Sequence, residues 1–102
     1  MKKSVKKELD YIMKIEGWKS LTKVRWGLVS YRTNLTEDFM REFQDKLDWP
    51  TLSTRQEFSY QFIKEFKDKL DFDMLIRQGT ITPRRVRELF REKVTIHELL
   101  DI

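Results

Sequence analysis

The stretch 26–71 is written almost twice. Displacing 26–48 by 23 positions pairs Trp26 with Trp49, Ser30 with Ser53, Arg32 with Arg55, Phe39 with Phe62, Glu42 with Glu65 and Phe43 with Phe66. The closing tetrad Asp45-Lys46-Leu47-Asp48 falls on Asp68-Lys69-Leu70-Asp71, so ten of the 23 aligned positions are identical. Val29/Leu52, Leu35/Phe58, Thr36/Ser59, Met40/Ile63 and Arg41/Lys64 are conservative pairs. A unit this short cannot bury its own apolar face, so copies of it must stack on one another.

Each unit reads as two short helices. The first follows the junction aspartate, Asp48 or Asp71, whose carboxylate suits an N-cap because it can accept from the free amides of the first turn. Pro50 supports that start, since its missing N–H is among the donors that have no intrahelical partner. Trp49, Leu52 and Phe58 are expected inward. A second cap at Thr36 or Ser59 opens the next helix, with Phe39, Met40, Phe43 and Leu47, or Phe62, Ile63, Phe66 and Leu70, forming one stripe on a 3.6-residue period. Strands would need alternation, which the units lack.

The flanks read as worn copies. Leu9-Asp10-Tyr11 repeats the junction form of Leu47-Asp48-Trp49, which makes 2–9 a trailing half-unit. Residues 11–25 then form a shortened unit carrying Ile12, Ile15, Trp18, Leu21 and Val24, interrupted at Gly17. Downstream, Phe72, Leu75, Ile81 and Thr82 keep the register of 23. One inserted residue then places Phe90 and Val94 opposite Phe66 and Leu70 at a shift of 24. Gln78-Gly79-Thr80 is the expected turn, and Thr82-Pro83 opens a helix with Val86, Leu89, Phe90 and Val94 inward. Thr95-Ile96-His97-Glu98 reads as a capping box for a last helix. The expected organisation is one all-α domain of short helix-pair repeats, stacked as a small solenoid or bundle. Its parts are a degenerate unit 1–25, units 26–48, 49–71 and 72–95, and a terminal half-unit 96–102.

Composition narrows the function classes. The chain has no cysteine, which removes disulfides and thiol chemistry and suits a reducing cytoplasm. No apolar run approaches the length of about 18 residues that a membrane-spanning helix needs, and the lysine-rich start is not followed by the apolar core of a signal peptide. The net charge of +4 is concentrated at one end, because residues 1–25 carry eight basic and three acidic side chains while the two close copies are near neutral. That distribution argues against a continuous basic track of the kind nucleic acid favours.

Candidate sites are few. His97 has no partner motif, and no His pair or Gly-rich phosphate loop is present, so neither catalysis, a cofactor, a metal nor a small-molecule substrate is expected. The pairs Asp45/Asp48 and Asp68/Asp71 are better explained as caps beside lysines than as cation ligands. Arg84, Arg85, Arg87 and Arg91 stand out, since the first turn of a helix disfavours positive charge. Their plainer reading is solvation with Glu88 neutralising Arg84 and Arg91; their functional reading is an anionic contact, on an acidic protein surface or phosphate. Tyr31 and Tyr60 sit outside the shared core scheme, and tyrosine is favoured at interfaces. Lys2, Lys3, Lys6 and Lys7 form a second basic run without interleaved aromatics. The leading expectation is a non-enzymatic module binding a protein with an acidic surface through Arg84, Arg85, Arg87, Arg91, Tyr31 and Tyr60. The alternative is nucleic-acid binding through the same arginines and the four N-terminal lysines.

The pattern Trp-x-x-Leu-Ser, followed by Phe-Ile-x-Glu-Phe-x-Asp-Lys-Leu-Asp-Trp and its variants, resembles tandem repeats of uncharacterised phage, giant-virus and bacterial proteins. It covers 26–71 well, 72–96 loosely and the first 25 residues hardly at all. The resemblance implies an all-α stack and, in a phage setting, a protein that binds and inhibits a host factor. It carries no cofactor and no functional residue to transfer.

Overall fold

In a computed structural model that describes residues 1–91, every regular element is helical. In order they are α1 (Lys3–Glu16), a 3-10 turn (Leu21–Lys23), α2 (Trp26–Ser30), α3 (Glu37–Glu42), α4 (Trp49–Arg55), α5 (Tyr60–Glu65), α6 (Phe72–Arg77) and α7 (Pro83–Arg91). Val94, His97 and the expected terminal helix lie outside the described residues.

The helices from α2 to α6 have five to seven residues each. Isolated helices below about 12–15 residues are marginal in water, so these depend on their neighbours. α2 packs on α4 and α4 on α6, while α1 packs on α3. Between them runs one apolar cluster from Val5, Leu9 and Ile12 through Phe39, Met40, Leu52, Phe62 and Ile63 to Leu75 and Leu89. The eight residues of the two expected stripes are all buried. Burying each such side chain stabilises by roughly 1.5–3 kcal/mol.

The stripes outlast the helices. α3 and α5 end at Glu42 and Glu65, and the chain continues as turns through Phe43 and Phe66, whose φ values are −107° and −109°. Those turns still carry Phe43, Leu47, Phe66 and Leu70 into the core. Within each unit the ring that opens the first helix meets a ring on the second helix or in the turn that follows it. Trp26 and Phe43 are 4.9 Å apart, Trp49 and Phe66 5.0 Å, and Phe72 and Phe90 5.4 Å.

Polar side chains bridge positions within each unit, through serines, and between successive units, through glutamines. Ser30 Oγ donates to the Trp26 carbonyl at 2.8 Å and accepts the Asp48 amide at 2.9 Å. Ser53 does the same with Trp49 and Asp71, at 2.8 and 3.1 Å. Gln56 Nε2 donates to the Arg32 carbonyl and Gln78 Nε2 to that of Thr54. The caps follow the expected places: the hydroxyls of Thr36, Ser59 and Thr82 accept the amides of Phe39, Phe62 and Arg85. Asp71 caps α6 through the Met74 amide at 3.2 Å. Asp48 departs from expectation, because its carboxylate takes the Thr51 hydroxyl at 2.7 Å and no backbone amide.

The N-terminal reading needs correction. α1 runs unbroken through Leu9-Asp10-Tyr11, so no junction exists there. Nothing in that stretch breaks a helix, and Val5, Leu9 and Ile12 form a single buried stripe across it. The break comes at Gly17, whose φ of 75° lets its amide and that of Trp18 satisfy the Lys14 and Met13 carbonyls. Of the residues expected inward, Ile12 and Val24 are buried and Trp18 is partly so, but Ile15 and Leu21 are each 56% exposed.

Candidate functional site

Tyr31 and Tyr60 are both at the surface, and each ring lies under a guanidinium. Tyr31 closes α2 at 55% exposure, with the Arg55 carbon 5.1 Å from its ring centre. Tyr60 opens α5 at 42% exposure, with Arg85 at 5.0 Å. Stacking of this kind contributes about 0.5–1 kcal/mol at exposed sites and fixes a long cation in one place. Each pair borders an open groove. The Tyr31–Arg55 groove, about 460 Å³, is lined also by Pro50, Thr51, Thr54, Asp71 and Met74. The Tyr60–Arg85 groove, about 420 Å³, has Phe58, Ile63, Gly79, Thr80, Ile81 and Thr82 as its remaining walls.

The arginine run lies on α7 and is exposed throughout. Glu88 reaches Arg84 at 3.6 Å and Arg85 at 3.9 Å, so its recorded second partner is Arg85 rather than Arg91 as expected. Thr82, Arg84, Arg85 and Glu88 surround a further shallow hollow beside the Tyr60 groove. Leu89 is fully buried, and the Lys67 ammonium donates to its carbonyl at 3.1 Å and lies 5.8 Å from the Phe90 ring.

Lys3, Lys6 and Lys7 are on α1 and Lys2 directly precedes it, whereas the arginine run is on α7. All four are exposed, and Lys2 donates to Asp38 at 3.1 Å. That hydrogen bond and charge, followed by the Arg41 contact at 3.0 Å, hold the Asp38 carboxyl below its ordinary value. Glu65, bonded to Arg41 Nε at 3.0 Å through both oxygens, raises the Arg41 guanidinium in turn.

Asp45 meets Lys69 at 3.9 Å, and Asp48 and Asp71 act at the helix starts already described. Among the described residues no group of three or more His, Cys, Asp or Glu is arranged to hold a metal, and no helix is long and apolar enough to cross a membrane.

Arg55 is the site residue that the sequence reading passed over. It aligns with Arg32, and that identity between the two copies is its only signal in the sequence. The two arginines nonetheless differ in use, Arg32 facing Glu16 at 3.8 Å and Arg55 facing Tyr31. Comparison of the chain with family models, curated proteins and solved structures finds no match.

Proposed function

We propose that the chain is a single-domain, solenoid-like stack of short helical repeats whose role is to bind another protein rather than to catalyse a reaction. The observation that carries this reading is the pair of cation–π contacts, Tyr31 with Arg55 and Tyr60 with Arg85, each bordering an open groove. Tyrosine and arginine are the residue types that anchor interfaces, because both bring large contact area together with a polar end. Their being held in place before a partner arrives lowers the ordering cost of binding.

The basic face of α7, with Arg84, Arg87 and Arg91 exposed beside Arg85, favours a partner with an acidic surface. Nucleic acid is the second reading, favoured by those same exposed arginines. It is weakened by the placement of Lys2 against Asp38 and of Arg84 and Arg85 against Glu88.

Affinity capture tests the leading reading. The parent chain should retain a partner protein that the triple variant Tyr31→Ser, Tyr60→Ser, Arg85→Ser releases. Equal recovery by both, or no partner above background with the parent, rejects it. Binding to DNA or RNA that weakens steeply from low to moderate salt would instead favour the second reading, since each neutralised phosphate releases counterions.

A further inference from the structure

The Tyr60 groove sits where a contact made elsewhere in the chain is not made. Before α3, Glu8 accepts both the Thr36 amide at 3.0 Å and the Thr36 hydroxyl at 2.6 Å. Before α5, Glu37 accepts the amide and hydroxyl of Ser59 at 2.8 and 2.9 Å. Thr82 is the third residue of this series, and its hydroxyl likewise accepts an amide of its own helix. The position equivalent to Glu37, however, is Tyr60. Among the described residues no carboxylate bonds to Thr82, and a groove of about 420 Å³ opens beside it.

The walls of that groove define what it suits. Phe58, Ile63 and Ile81 supply apolar surface, while Thr82 and Arg85 supply donors. The Arg85 guanidinium lies 5.0 Å from the Tyr60 ring centre and its Nη1 faces Glu88 at 3.9 Å, longer than a hydrogen bond, so the exposed group keeps N–H donors for a planar anion. The side chains of Arg84 and Arg85 are 84% and 58% exposed, and the one acid lining the adjoining hollow, Glu88, faces two arginines. The region therefore keeps a positive excess beside an apolar wall.

The geometry points to an acidic segment of a partner protein as the occupant, with a carboxylate on Thr82 and Arg85 and an adjacent apolar side chain against Phe58, Ile63 and Ile81. Two observations favour this chemistry over phosphate. The equivalent places in the same chain are filled by carboxylates, and the apolar wall matches a peptide side chain rather than a sugar–phosphate backbone. This inference rests on the protein-binding reading and narrows it to one groove.

Titration of the isotope-labelled chain with the blocked peptide Glu-Leu-Glu-Leu, followed by NMR, tests it. The Thr82 and Arg85 amide signals should move, and the neutral peptide Gln-Leu-Gln-Leu should bind about tenfold more weakly, the loss expected for one charge-assisted contact. Arg85→Gln should weaken the acidic peptide by a similar factor. Tyr60→Glu should act differently, supplying an internal carboxylate to Thr82, raising the melting temperature and excluding the peptide.

Peptide binding by folded Tyr60→Glu within about twofold of the parent would overturn the assignment, as would shifts confined to other residues. Tighter binding of single-stranded oligothymidylate at the same two amides would overturn it in favour of phosphate. Should Tyr60→Glu fail to fold by circular dichroism, the Arg85→Gln comparison decides alone, because that side chain is exposed. A captured partner that Tyr60→Glu still retains would remove the groove from the account and leave the protein-binding reading intact. Failure of the parent to capture any partner would remove that reading itself.

Discussion

A serine hydroxyl has one proton to donate and lone pairs to accept with, and Ser53 uses both while fully buried. Its proton satisfies a carbonyl of its own helix and its lone pair receives the Asp71 amide, at the close of the same unit and just before α6. Ser53→Ala leaves that Asp71 amide without its partner, and a loss of about 1–3 kcal/mol is expected. Thr54→Ala, at an exposed neighbour bonded within its own helix, provides the comparison in urea unfolding. Equal small losses for both would show that the bridge contributes nothing. The Ser30/Ser53 identity was visible in the sequence, but its reason was not, because periodicity identifies a residue's face without saying whom a hydroxyl meets. Asp38 supplies a second residue-scale expectation. Its carboxyl is held below the ordinary value of 3.8 by Lys2 first and then Arg41. A depressed folded value adds stability above the unfolded value and loses it as pH falls through the folded one. The melting temperature of Asp38→Asn should accordingly change less than the parent's on acidification below about pH 3.8. Superimposable pH profiles would deny that linkage.

Whether an element was legible depended on whether its signal was local. The caps at Thr36, Ser59 and Thr82 and the stripes through Phe39 and Phe62 could be read because a cap and a 3.6-residue period are properties of neighbouring residues. In α1 the three-residue likeness of Leu9-Asp10-Tyr11 to a junction is outweighed by a run from Lys3 to Glu16 that holds no helix breaker. Tertiary packing also decided Ile15 and Leu21, which continue an apolar spacing yet face away from the core. Of the candidate site, Tyr31, Tyr60 and the arginine run were identifiable as misfits to the repeat, but the pairing of Tyr31 with Arg55 joins residues 24 apart and has no local sign. The end of α1 offers a direct test. A Cβ at Gly17 would meet nothing within 4 Å, so the cost of Gly17→Ala comes from its φ of +75° alone. That cost is expected to be about 1 kcal/mol or more, with Gly17→Asn recovering most of it because asparagine tolerates this conformation. Equal destabilisation by Ala and Asn in thermal melts would point to packing instead.

At the scale of the molecule, the extents of 56 × 27 × 20 Å and a radius of gyration of 16.5 Å describe an elongated body. A compact domain of this length has a radius near about 13 Å. If the units stack in series as proposed, stability is carried by successive interfaces along the apolar cluster. Phe66, 5% exposed and against the Trp49 ring, lies in the middle of that succession, and Phe66→Ala is expected to cost about 3–5 kcal/mol. A melting temperature within a degree or two of the parent's would mean that the stripe is misplaced. Leu89, fully buried in α7, lies toward one end. The three tryptophans, Trp18, Trp26 and Trp49, reach no further along the chain than Phe62 and Phe66, on which Trp49 packs, whereas circular dichroism reports on every helix. The parent should unfold at one midpoint by both probes, since neighbouring units share a core. Leu89→Ala should separate them, lowering the midpoint seen by circular dichroism while tryptophan fluorescence holds closer to the parent. If instead both midpoints fall together, the interfaces are strong enough that the array unfolds as one unit, and damage at α7 is felt as far away as Trp18.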